Sequence, residues 1–328
     1  MYGADKDEQF VENPEIIPRA TDILTLNDLR VPFTFLHVRK NHFRQKLRHN
    51  LDDFDCVVNG VTNPDTNSKV LEAIARMLKP YKGTVINHPL AVLSSGRDRI
   101  SRKAAAVEGL VAPPSVRLRA TSAASVASIA ERGGVSFPAI LRPAGAHRGS
   151  GTFLVRDSVE AAQAMQPGDD YYLTAFADYR SPDGLYRKIR FFFIGEAVII
   201  RHQIASDNWN VHVEARDRFM ASRPRLVQEE RRLIEAGIEA LPALAQRALA
   251  GVRAAVGLDF FGLDCSLLED GSLLLFEANA TMNFSNASAD DPQFSYLRPA
   301  FQQGRNGFRS MLAPGYKGAR AAASPLRA

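Results

Sequence analysis

The chain has 328 residues, 45% of them apolar and 23% charged, with a formal net charge of +5 at pH 7. That length suggests two or three compact units, and the composition excludes collagen-like, coiled-coil and wholly disordered chains. No uncharged apolar run approaches the roughly 18 residues of a membrane helix, and three of the excess cations, Lys317, Arg320 and Arg327, sit at the far end, which argues against a nucleic-acid stripe. Asp5, Asp7 and Glu8 stand where a secretory leader would be positive, so a cytoplasmic protein with no membrane partner is expected. Cys56 and Cys265 lie in apolar runs and read as small core residues.

Residues 1–22 are polar and acidic and predict a disordered tail. Val31 to Val38 and Phe54 to Asn59 read as strands, Ser68 to Leu78 as a helix with Val70, Leu71, Ile74, Met77 and Leu78 on one face, and Gly83 to Asn87 as a strand. Strand, helix, strand in so short a span predicts a parallel βαβ unit, hence a small N-terminal α/β domain over 23–112. After Ala112-Pro113-Pro114 come a helix (Ser122 to Glu131), a strand (Phe137 to Arg142), a glycine-rich loop (Gly145 to Gly151) and a strand (Thr152 to Val155), an α+β module over 113–184. The stretch 185–311 holds two hairpins flanking long helices, and Pro242 divides Val227 to Val256 in two. Residues 312–328 predict a second disordered tail.

In the hairpin Gly262 to Asn283, Asp270-Gly271 reads as a two-residue type I′ turn, which sets Asp264 opposite Glu277, Gly262 opposite Asn279 and Ser266 opposite Leu275. Two facing carboxylates beside leucines repel unless something positive lies between them, and Asp264, Glu277 and Asn279 are oxygen donors of the kind that suits Mg²⁺. The hairpin Arg187 to Gln203 turns at Gly195-Glu196. A two-residue turn there sets Arg190 opposite Arg201 and Lys188 opposite Gln203, a cationic face that would match phosphate oxygens. Together the hairpins argue for a nucleoside triphosphate. An acidic hairpin end and a basic sheet face, each simply turned to water, remain open at this level.

The loop Gly145 to Gly151 is neither a Walker loop nor a dinucleotide turn, yet its backbone N–H groups could cover phosphates, with Arg142 adding charge at its mouth. The order of these features resembles the ATP-grasp superfamily of ligases. The likeness runs from Thr84 to Phe284, through Asn87 to Pro89, Gly96 to Arg99, Val111 to Pro114, Phe137 to Pro143, the loop to Gly151, and the Asp264, Glu277 and Asn279 set. It implies a two-subdomain ATP-grasp fold after the N-terminal domain. It also implies an ATP site formed by Arg99, Arg142, Gly149, Ser150, Gly151, Thr174, Phe176 and Lys188, with Mg²⁺ on Asp264, Glu277 and Asn279. Arg99 and Arg142 stand where the family usually has lysines. Arg190, Arg201 and Arg142 would face the transferred phosphate.

The resemblance implies a carboxylate-amine ligase that passes through an acyl phosphate and releases ADP, acting on small-molecule or peptide substrates. A homodimer is an expected state, since the superfamily often forms dimers. A small-molecule kinase and a degenerate nucleotide-binding scaffold are the alternatives. His147, Arg148, His202, Asn208, Asn210 and His212 flank the centre as candidates for substrate contact, with a plain loop or rim position as the alternative for each.

Overall fold

The computed structural model describes residues 1–3, 23–26, 31–38, 50–119, 122–146, 151–284 and 292–319. Strands β1 (Tyr2–Gly3) and β2 (His37–Val38) pair in parallel. Next come β3 (Cys56–Val58), α1 (Ser68–Leu78) and β4 (Thr84–Ile86), the parallel βαβ unit predicted from the sequence. Helix α1 buries Val70, Leu71, Ile74, Met77 and Leu78, the stripe that a 3.6-residue period places on one face. Two short helices, α2 (Pro89–Leu93) and α3 (Arg97–Ala104), lead to β5 (Leu110–Val111).

The middle segment contains β6 (Ser115–Leu118), α4 (Ala123–Arg132), β7 (Ala139–Pro143), β8 (Phe153–Val155), α5 (Ser158–Ala164) and β9 (Tyr171–Ala175). Its strands form an antiparallel sheet in the order β6-β9-β7-β8. Side-chain oxygens of Ser122 and Asp157 accept from the first free N–H groups of α4 and α5, which fixes where each helix starts.

The chain then enters β10 (Tyr186–Ile194) and β11 (Ala197–Ser206), a π-helical turn at Arg216–Met220, α6 (Pro224–Ala236) and α7 (Ala243–Val256). Gly237, at φ +74°, ends α6, and Pro242 stands just before α7, the break its missing N–H predicts. Strands β12 (Phe260–Leu267) and β13 (Leu273–Asn279) and helix α8 (Arg298–Leu312) follow. The larger sheet has the order β11-β10-β12-β13-β5. None of the described helices is long and apolar enough to cross a membrane.

The cores divide differently from the expected consecutive units. Strand β5 adds in parallel to the far sheet, Leu110 facing Leu273 and Val111 facing Leu274. One buried cluster runs from Leu71, Ile74 and Ile100 through Phe191, Phe261 and Leu263 to Leu249 and Val252. The N-terminal and C-terminal segments therefore share a core. The middle segment has its own, built around Leu118, Val126, Ala139, Leu141, Val155 and Leu173.

Buried polar staples fasten the shared part. Asn87, at φ +53°, donates its side-chain amide to the Phe260 carbonyl at 2.8 Å and accepts from the N–H groups of Asp259 and Phe260. Asp259 in turn accepts from the Tyr316 hydroxyl at 2.9 Å and from the Ala319 N–H. Thr84 Oγ1 donates to the Tyr316 carbonyl at 2.9 Å. Residues 313–319, expected within a disordered tail, are thus docked by specific hydrogen bonds. At the other end, the Met1 carbonyl accepts from the Gly60 N–H at 2.7 Å. The remainder of both expected tails, residues 4–22 and 320–328, lies outside the described residues.

Candidate functional site

Both long hairpins carry a β-bulge at the same level of the sheet. In the acidic hairpin the Gly271 N–H donates to the Leu268 carbonyl and the Leu268 N–H to the Ser272 carbonyl. The loop therefore holds three residues, with Gly271 at φ +84°, where a two-residue turn was expected. That shift pairs Ser266 with Leu274 and Cys265 with Leu275, and Phe276 then bulges. The two shifts cancel, so Asp264 faces Glu277 and Gly262 faces Asn279 as the sequence predicts.

The basic hairpin follows its predicted register only from Ile194 to Phe191. Beyond it Arg201 is the extra residue, and Arg190 faces His202 while Lys188 faces Ile204. The expected Arg190–Arg201 and Lys188–Gln203 pairs do not form. Arg201 is instead buried, its Nε donating to the Phe284 carbonyl at 2.7 Å and its guanidinium 4.7 Å from the Phe301 ring centre. Because Arg190 also faces Asp264, a single row of His202, Arg190, Asp264 and Glu277 crosses four strands.

The charges in that row are densely paired. Arg190 grips Asp264 with two hydrogen bonds, Nε to Oδ1 at 2.6 Å and Nη2 to Oδ2 at 2.8 Å, and Lys188 Nζ lies 3.3 Å from Oδ2. Glu277 Oε2 receives Arg97 Nη2 and, at 3.5 Å, Arg142 Nη1. Four cations surround two carboxylates, an excess of two positive charges. Burial works to raise the Asp264 value, but Arg190 and Lys188 outweigh it and hold the carboxyl at about 2. Glu277 is likewise held far below its usual range against burial, by Arg97 first and then Arg142. Burial, then the cations Arg190 and Arg216, drive His202 well below its ordinary value, so the imidazole is neutral.

At its Glu277 end the row meets a cleft lined by all three expected units, including Asn63 and Arg97, Arg142 and Thr174, and Glu277 and Asn279. Asp65, on the cleft wall, accepts from the Tyr172 hydroxyl at 2.7 Å, Arg117 Nη1 at 3.0 Å and the Gly145 N–H at 3.3 Å. It ties the start of the glycine-rich loop to the N-terminal segment. Arg142 also donates to the Ala146 carbonyl at 2.6 Å. Gly151 takes φ +65°, a conformation suited to glycine, while Gly149 and Ser150, with His147 and Arg148, lie outside the described residues.

Of the expected cofactor residues, Arg142 and Thr174 line the cleft, while Lys188 reaches Asp264 in the adjoining row. Thr174 Oγ1 bonds Ser115 Oγ at 2.8 Å. Phe176 packs edge-on against Trp209, with ring centres 5.8 Å apart, and its N–H donates to the Pro138 carbonyl. Arg99 is exposed and donates to the Leu93 carbonyl at 2.9 Å, away from the row. Arg97, which sequence reasoning passed over, takes the place at Glu277. Its signal was the helix period: Arg97 shares a face with the buried Ser101 and Ala104, and Arg99 does not.

Asp264, Glu277 and Asn279 supply hard oxygen donors, the chemistry that fits Mg²⁺. Among the described residues no three His, Cys, Asp or Glu side chains gather as a metal cage. Both Asp264 oxygens are engaged, and Asn279 Oδ1 accepts from the N–H groups of Thr281 and Met282 at 2.9 and 3.0 Å. Glu277 Oε1 makes no hydrogen bond among the described residues. Such a set fits a cation that arrives with phosphates completing its shell, since Mg²⁺ commonly uses only one or two protein carboxylates.

No protein-family model matches the chain, and no curated protein matches it. Among solved structures it is similar to carboxyaminoimidazole ribonucleotide synthase from Aspergillus clavatus complexed with ATP, at 18% identity and TM-score 0.43, over 76% of this chain and 61% of that one. The chain thus spans less than two thirds of that protein's length. It is similar to D-alanyl-alanine synthetase A from Vibrio cholerae at 13% identity and TM-score 0.48, over 79% of this chain and 76% of that one. It is also similar to a RimK domain ATP-grasp protein from Sphaerobacter thermophilus, at 14% identity and TM-score 0.44, over 83% of this chain and 88% of that one.

Proposed function

We propose that the chain is an ATP- and Mg²⁺-dependent carboxylate-amine ligase, with 113–184 and 185–311 acting as the two ATP-grasp subdomains. The observation that carries this reading is the row across the sheet: two facing carboxylates, Glu277 on the cleft wall and Asp264 buried beside it, with cations in excess by two. An excess of positive charge around acidic groups suits a polyanion that brings its own metal. Glu277 and Asp264, with Asn279 beside them, are the residues that would hold Mg²⁺, which when bound neutralises phosphate charge.

Arg142, Lys188 and Arg190 then face the triphosphate, and Arg190 can leave one oxygen of Asp264 to grip phosphate with the same fork. Their charges favour the transferring phosphoryl group, which spreads negative charge over its oxygens. A substrate carboxylate oxygen attacks the terminal phosphorus and ADP leaves. The amine nitrogen then attacks the acyl carbon, phosphate leaves, and the amine gives up a proton. A pooled panel of acids and amines tests this. ADP and phosphate formed together, with a hydroxamate when hydroxylamine replaces the amine, support the ligase. A stable phosphorylated product without hydroxamate, or AMP with pyrophosphate, overturns it.

A further inference from the structure

Arg97 stands outside the reaction just described, yet it makes two bonds that bear on the site. The bulge takes Phe276 out of the ladder with β12, and a backbone carbonyl released in this way needs another donor. Arg97 Nη1 supplies one, 2.6 Å from the Phe276 carbonyl, while Nη2 of the same guanidinium bonds Glu277 Oε2. The two donors belong to one rigid plane, so the position of the carboxylate is coupled to the backbone beside it. The base of the side chain is fixed as well. Helix α3 begins at Arg97, buries Ile100, Ser101 and Ala104, and is tied by Ser101 Oγ to the Pro113 carbonyl at 2.6 Å.

We propose that Arg97 is a positioning residue for Glu277, clamping the bulged Phe276 carbonyl and Oε2 together so that Oε1 is presented to a divalent cation. The inference rests on the reading of the cleft as a Mg²⁺-nucleotide site. It assigns the arginine to geometry more than to charge: lysine carries the charge but lacks the planar fork.

Mn²⁺ binding to the nucleotide-saturated protein, followed by electron paramagnetic resonance, tests the clamp in Arg97→Lys and Arg97→Gln. Both should weaken Mn²⁺ by about tenfold to a hundredfold, the size typical of lost outer-shell support. In Arg97→Lys the affinity for metal-free ATP should stay within about threefold of the native value, because the charge is kept. Native Mn²⁺ affinity in Arg97→Lys overturns the proposal, and that variant carries the test if Arg97→Gln does not fold. If the unaltered protein binds no Mn²⁺-nucleotide, the nucleotide reading fails, and hydrogen exchange in the peptide spanning 273–279 judges the clamp alone. Faster exchange in Arg97→Lys supports it, and unchanged exchange overturns it.

Discussion

At Glu277 two guanidinium groups share one carboxylate oxygen, so removing its charge changes more than one interaction. Glu277→Gln keeps an acceptor for Arg97 but raises the positive excess by one. Metal-free ATP should then bind about threefold to tenfold tighter, and added Mg²⁺ should no longer improve binding. Calorimetric titration with and without EDTA reads both, and an undiminished Mg²⁺ effect would remove Glu277 from the metal site. His202 responds to pH in a separate window. It faces Arg190 in the register, with Arg216, Arg201 and Asp264 also acting on it, and burial keeps it neutral when folded. The unfolded imidazole gains a proton below about pH 6.5 while the folded one does not, so stability should fall as pH drops through 6. Asp264, held at about 2, contributes stability above its unfolded value near 4 and loses it only as pH approaches 2. Melting temperatures from pH 7.5 to 5.5 should therefore decline in the native chain and decline less in His202→Gln.

Among the elements, the acidic hairpin was legible because two strands with an Asp-Gly turn restrict the choices of register. The Asp264–Glu277 pair came out correctly although the loop has three residues, since the bulge at Phe276 moved the strand back by one. Arg201 shows the limit of the same reasoning. A bulge responds to packing against α8 through Phe284 and Phe301, and no local residue pattern announces it. Arg97 was recoverable, since helix periodicity alone turns it inward and Arg99 outward. The C-terminal segment misled for a compositional reason: Gly, Ala and Pro read as tail, while Tyr316 and one backbone N–H find the buried Asp259. Truncation after Leu312 should cost about 2 kcal/mol or more by stripping donors from that carboxyl. A fall in melting temperature of about 3 °C is expected, and an unchanged transition would show the docking to be incidental.

For the molecule as a whole, the middle segment meets the N-terminal segment at Asp65, which joins Tyr172 and Arg117 of the small sheet to the loop at Gly145. Asp65→Ala should loosen that contact without disturbing either core. Limited trypsin digestion near Arg148 should speed up by about tenfold or more, since cleavage tracks the population of open states. Saturating Mg-ATP should slow it again if the cleft holds nucleotide. Equal cleavage of variant and native chains would show that Asp65 restrains nothing.

The pairing of Leu110 with Leu273 also has a temporal side. During synthesis the larger core cannot be completed until β13 has left the ribosome, more than 160 residues after β5. The small sheet closes its own core once Ala175 has emerged. The nascent chain would then carry a finished middle unit while the apolar faces of α1 and α3 still wait for their partners, which makes those faces the exposure that chaperones must cover.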